Sequence, residues 1–160
     1  MSINLVREQL RKVCENLNSQ GVQYMLIGGV AVGFYGFPRS TADIDFWYNP
    51  TLENFHRIIK ALDLMSVDTS ELHRIIFDPQ KTYLRIPQLG FRTEFLPMIP
   101  GIKSFPESFK TATKTKLDGI EVFILGYHDL IKNKEIVNRP IDINDVEELK
   151  KRNQSKTKDK

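Results

Sequence analysis

The sequence predicts an α/β domain of the α+β kind, a mixed β-sheet flanked by helices with two further helices closing the chain. Three observations predict it. Helix-spaced and strand-length apolar segments alternate through the first half of the chain. Two pairs of short strands follow, each pair split by turn residues. The last fifth returns to helical spacing without a repeat or a long linker, so residues 1–150 read as one domain and 151–160 as a basic, disordered tail.

Residues 3–18 carry Val6, Leu10, Val13, Cys14 and Leu17 at helical spacing, and Gln20-Gly21 stops that helix. Val22 to Ile27 is a short apolar run between turn signals and reads as a buried strand. Gly28-Gly29 turns the chain into a short helix, Val30 to Tyr35, ended by Gly36 and Pro38. Thr41 to Tyr48 is the second strand. Asn49 is placed to cap the next helix and Pro50 to open it, with Leu52, Phe55, Ile59 and Leu62 on its apolar face. Residues 66–80 show no clear period. Lys81 to Ile86 and Gly90 to Leu96 read as paired strands around Pro87-Gln88-Leu89, and Pro97 to Pro106 as loop. Thr111 to Leu117 and Ile120 to Leu125 flank Asp118-Gly119, a two-residue hairpin signal. Helices from Tyr127 to Val137 and from about Asp142 close the order, the latter with Ile143, Val146 and Leu149 on one face.

Composition excludes several classes. Apolar residues make up 41% and charged residues 27%, the balance of a globular domain rather than a disordered chain. No apolar run approaches the ~18 residues of a membrane span. The first residues carry charges where a signal peptide needs an apolar block. A cytoplasmic protein without membrane contact is expected. The single Cys14 forms no internal disulfide or thiolate cage and reads as a small hydrophobe. The net charge of +3 conceals a polarity: six basic residues between Lys150 and Lys160 face Asp159 alone. Such a tail either solvates itself or touches nucleic acid.

The chemistry gathers around Asp43-Ile-Asp45. Residues two apart on a strand share a face, with α-carbons roughly 6.5–7 Å apart. Two carboxylates on an otherwise apolar strand repel unless a cation lies between them. A pair of metal ions is the usual clamp for in-line phosphoryl transfer. Glu94, set among Phe91, Phe95 and Leu96, is the expected third carboxylate; otherwise it pairs with Arg92 or Arg85. Gly28 and Gly29 permit positive φ and close approach of a phosphate to the backbone. The P-loop and dinucleotide glycine patterns are both absent. Arg39 either neutralises phosphate or pairs on the surface, and Thr41 shares the face of Asp43. Tyr127, Leu130, Ile131, Lys134 and Val137 form one stripe, so Lys134 either snorkels outward or meets an anion. Lys132 lies off that stripe and reads as solvated. Asp142 and Asp145 read as capping and first-turn acids. His56, His73 and His128 lack metal-ligand spacing, and Trp47 and Tyr48 read as packing residues.

With Leu26-Ile-Gly-Gly29, Arg39-Ser-Thr-Ala-Asp43-Ile-Asp45 and Glu94 in place, the chain resembles the nucleotidyltransferase superfamily that includes DNA polymerase β. It is most similar to small bacterial proteins like the toxin halves of AbiE-type toxin–antitoxin pairs. Those share a segment like Asp129-Leu-Ile-x-x-Lys134 followed by Arg139-Pro-x-Asp142-x-x-Asp145. The family more often has aspartate where Glu94 stands. The resemblance implies two Mg²⁺ ions and a nucleoside triphosphate, with Asp43, Asp45 and Glu94 as metal ligands and catalytic residues. Gly28, Gly29, Arg39, Thr41 and Lys134 would bind the nucleotide. It implies transfer of a nucleoside monophosphate to a hydroxyl of RNA, protein or a small molecule, with an antitoxin or a second copy as partner. The alternative is a catalytically weak nucleotide- or partner-binding module on the same fold.

Overall fold

The computed structural model describes residues 3–158. Its helices are α1 (Ile3–Ser19), α2 (Gly28–Phe34), α3 (Leu52–Leu64), α4 (Phe105–Lys110), α5 (Tyr127–Val137) and α6 (Pro140–Lys158). Its strands are β1 (Tyr24–Ile27), β2 (Asp43–Tyr48), β3 (Leu84–Arg85), β4 (Arg92–Leu96), β5 (Thr113–Leu117) and β6 (Ile120–Ile124). They form one mixed sheet in the order β3-β4-β2-β1-β6-β5. β1 runs antiparallel to β2, and each hairpin pairs antiparallel. β2 is parallel to β4, and β1 to β6. Helices flank this sheet, the α+β architecture expected of a nucleotidyltransferase.

The alternation of β2 divides its side chains between two environments. Ile44, Phe46 and Tyr48 are fully buried. Phe46 stacks on Phe95 of β4 at 4.9 Å between ring centroids and meets Tyr24 of β1 edge-on at 5.4 Å. Tyr24 in turn hydrogen-bonds Asn18 of α1, which places that helix over this face. Such ring pairs each contribute about 0.5–1.5 kcal/mol beyond their buried area. The opposite face carries Asp43, Asp45 and Trp47. Trp47 is sealed by Phe105 of α4 and donates its indole N–H to the Pro97 carbonyl at 3.0 Å. One end of that face is therefore closed by aromatic packing, and the carboxylates occupy the other. Both Trp47 and Tyr48 pack, as expected.

Several boundaries differ from the sequence expectation, each for a local reason. Gly28 and Gly29 lie inside the first turn of α2 rather than before it. The cap of α3 is Thr51, whose side chain accepts from Asn54 N, while Asn49 turns to Gln23 and Pro50 stays outside the helix. Helix α4 occupies the end of the segment read as loop. Ser104 caps it and Pro106 sits in its first turn, so a proline read as punctuation is a start signal. Asp118 and Gly119, both at positive φ, make the tight turn of the β5–β6 hairpin. Asn138, at φ +57°, ends α5 and folds α6 back against it. Ile143 is about half exposed, and the buried face of α6 runs through Asp142, Asp145, Val146 and Leu149 instead. The basic segment expected as a disordered tail is helical as far as Lys158. No helix among the described residues is long and apolar enough to cross a membrane.

Candidate active site

Parallel pairing of β2 with β4 sets Asp45 directly beside Glu94, and Asp43 beside Arg92. The three acids named from the sequence thus lie at neighbouring positions on adjacent strands. Burial, then the charges of Glu94 and Asp43 and a hydrogen bond shared with Glu94, push the Asp45 carboxyl up to about 7; Arg139 acts weakly against this. Asp43 Oδ1 is buried without a hydrogen-bond partner. Its cationic neighbour, Arg92 Nε, stands 3.9 Å away, beyond hydrogen-bond reach. Glu94 Oε1 accepts from Arg85 Nε at 3.1 Å, and Tyr83 also interacts with this carboxylate. Of the two arginines that the sequence offered to Glu94, Arg85 is the one it takes.

An orphaned carboxylate oxygen beside a carboxyl whose pKa is raised by burial and by like-charged neighbours is an arrangement that a hard cation relieves. Mg²⁺ is commonly held by one or two carboxylates with substrate phosphates completing its shell. Asp43 and Asp45 fit that description. Among the described residues no group of three His, Cys, Asp or Glu side chains is arranged to hold a metal ion. Glu94 is engaged by Arg85 in an ion pair of 3.1 Å.

The glycines owe their identity to close approach. Gly28 has φ +67°, and a Cβ there would lie 2.8 Å from Asp45 Oδ2. A Cβ at Gly29 would lie 3.0 Å from Thr41 Oγ1 and 3.1 Å from Arg39 Nη1. Thr41 Oγ1 donates to the Asp43 carbonyl and accepts from its amide, fixing the entry into β2. We expect Gly28→Ala to destabilise the fold by about 1–2 kcal/mol from left-handed backbone alone, and to displace the Asp45 carboxylate as well. Urea denaturation checks this, and a variant as stable as the parent contradicts it.

A buried ionic ladder ties α5 and α6 to this region. Arg39 holds Asp145 with two bonds, of 2.8 and 2.9 Å. Lys134 Nζ, on the buried stripe of α5, lies 2.9 Å from Asp145 Oδ2 and 3.1 Å from Asp142 Oδ1. Arg139 closes the far end, with Nε 2.7 Å from Asp142 Oδ2. Helix α6 starts at Pro140 rather than near Asp142, so Asp142 lies in its first turn and reaches back to accept from the Arg139 backbone N–H. The anion that Lys134 meets is thus a pair of protein carboxylates. Three cations face two acids, and the Arg139 charge reaches Asp45. Sequence reasoning missed Tyr83, the role of Arg139 and the pairing of Asp145. The only signal was Arg139-Pro-x-Asp142-x-x-Asp145 itself, whose acids fit an ordinary first turn equally well. Lys132 and all three histidines are exposed. Cys14 is buried, and its burial pushes the thiol up to about 12, leaving it inert packing.

Residues 6–159 match the model of a family described as "nucleotidyl transferase of unknown function (DUF2204)". The match spans almost the whole chain, and the chain belongs to that family. No curated protein matches it.

Proposed function

From membership of that nucleotidyl transferase family, we propose that the chain transfers a nucleoside monophosphate from a nucleoside triphosphate to a hydroxyl, with Mg²⁺ bound at Asp43 and Asp45. The observation that carries this is the unpartnered Asp43 Oδ1 beside the protonatable Asp45, on the open end of an otherwise sealed sheet face. When bound, the metal supplies charge neutralisation of the phosphates and of the departing pyrophosphate. Gly28 and Gly29 leave the backbone beside Asp45 bare of side chains, so phosphate oxygens reach it. Arg39 and Thr41 border that space, and the net positive ladder through Lys134 to Arg139 places favourable potential behind it. Glu94, next to Asp45, accepts the proton of the attacking hydroxyl once it turns from Arg85. Catalysis in this scheme is positioning and electrostatics, as phosphoryl transfer requires. The likeness to AbiE-type toxins supports a toxin as the biological role, with RNA, protein or a small molecule as acceptor and an antitoxin as partner.

The engagement of Glu94 by Arg85 favours a second reading, a module that holds nucleotide without turnover. One experiment separates the two. The chain is incubated with Mg²⁺ and each nucleoside triphosphate labelled at the α-phosphate, together with RNA, protein and small-molecule fractions of a cell extract. The proposal expects α-label in one fraction, pyrophosphate released, and neither with Asp43→Ala. Calorimetric binding of nucleotide without label transfer identifies the module, and equal transfer by Asp43→Ala removes the proposed site.

A further inference from the structure

A cavity of about 570 Å³ opens beside Gly29 and Thr41, a volume within the range of small-molecule sites. Its walls are mostly apolar: Val6 and Leu10 from α1, Val30 and Phe34 from α2, and Leu117 from β5. Arg7, Arg39 and Lys116 stand at its edge. Two of these cations are already committed, Arg7 to Asp118 by two 3.0 Å bonds and Arg39 to Asp145. The exposed Lys116 is not: its ammonium pairs with no carboxylate among the described residues. The inner wall is Gly29 and Thr41, whose neighbours in chain and in hydrogen bonding are Gly28 against Asp45 and the backbone of Asp43. The cavity therefore begins where the row of carboxylates ends.

The lining discriminates among the acceptors left open above. A nucleic-acid end brings a run of phosphates and needs a run of unpaired cations. A nucleobase is neutral and takes a hydrogen bond but no charge pairing from an ammonium. Apolar walls with one uncommitted cation and the hydroxyls of Ser40 and Thr41 fit a molecule with an apolar body and a single negative charge. We propose that this cavity binds the acceptor, and that the acceptor is a small amphipathic hydroxyl compound carrying one carboxylate, sulfonate or phosphate. This rests on the transfer reading proposed above. The acceptor oxygen forms its bond to the α-phosphorus as the bond to the bridging β-phosphate oxygen breaks. Pyrophosphate leaves with that electron pair, and the hydroxyl proton passes to the Glu94 carboxylate.

The test measures binding separately from turnover. The probe is 8-anilino-1-naphthalenesulfonate, an aromatic body with one sulfonate, titrated by fluorescence into the full chain without nucleotide. Saturable binding, displaced by decanoate and retained with Mg²⁺-ATP present, is expected. A Cβ at Gly33, on the cavity wall, meets nothing within 4 Å, so the side chain of Gly33→Leu starts in open space. That variant is expected to weaken the probe about tenfold, and Lys116→Met about threefold. Thermal melting checks that Gly33→Leu folds; if it does not, the surface variant Lys116→Met carries the test alone. Absent saturation, indifference to these substitutions, or displacement by Mg²⁺-ATP each overturns the proposal, the last by giving the cavity to the nucleoside. Asp43→Ala is expected to lose transfer and keep the probe. A wild-type chain that binds the probe as described yet transfers no label keeps the site and loses the transfer reading, so the two fail separately.

Discussion

Replacing Lys134 by methionine is expected to cost about 3–5 kcal/mol of stability at neutral pH. The side chain is 3% exposed, and its two partners, Asp142 and Asp145, are 1% and 0% exposed. Methionine fills nearly the same volume, so packing loss is minor. The loss comes from leaving two carboxylates buried with one cation fewer. Arg39 still holds Asp145 and Arg139 still holds Asp142, which sets the expectation at the lower end of the range. The pH dependence has a definite sign. Burial works against the charge of Asp142, but the hydrogen bonds from Arg139 and Lys134 outweigh it, and the carboxyl sits below its usual range. A carboxyl depressed on folding contributes stability above its unfolded pKa and loses it as pH falls through the folded value. The gap between parent and Lys134→Met therefore narrows on acidification. Urea denaturation at pH 7 and at acid pH measures both; a loss under about 1 kcal/mol at pH 7 means the ladder is weaker than its geometry indicates.

That ladder also shows where sequence reading stops. The stripe on α5 was legible: a lysine at helical spacing with Tyr127, Leu130 and Ile131 must be buried or reach outward, and it is buried. The matching face of α6 was legible only in part: Val146 and Leu149 are buried as expected, and Ile143 is not. Apolar periodicity selects Ile143, Val146 and Leu149, yet the helix rotates to bury Asp142 and Asp145, because Lys134, Arg39 and Arg139 offer them more than water does. A hydrophobic pattern scores an acid as exposed regardless of its partners. Asp43, Asp45 and Glu94 were legible for the opposite reason. Period-two alternation fixes which side chains share a face, and parallel pairing brings Glu94 alongside Asp45 without any further choice. What neither pattern specified was the carboxylate's second partner. Arg85 lies across the antiparallel β3–β4 pair from Glu94, a register set by the turn through Pro87–Leu89. The glycines were legible as necessary, though the nearest necessity is room for Asp45, Thr41 and Arg39.

Asp45→Asn is expected to reduce nucleotide transfer by roughly 10³-fold while making the metal-free protein more stable. The first effect follows from removing one of two carboxylates that fit Mg²⁺. The second follows from the electrostatic cost that Asp45 bears. Its carboxyl titrates at about 7 in the folded chain, raised by burial and by Glu94 and Asp43, but near ~3.9 in the unfolded chain. Between those values the folded state holds a proton that the unfolded state has released, so stability falls as pH rises across this window and stays reduced above it. Asparagine carries no such charge. The advantage of the variant should therefore be small at about pH 4 and reach at most the order of 4 kcal/mol by about pH 8. Mg²⁺ should then reverse the ranking. Binding to the folded parent restores its stability by mass action, whereas a site with one carboxylate gains little. Melting curves at the two pH values, in chelator and then in Mg²⁺, read all three effects. A variant less stable than the parent in chelator at about pH 8 shows that Asp45 is a structural carboxylate, satisfied without a cation. Full transfer activity in the same variant removes Asp45 from the chemistry altogether.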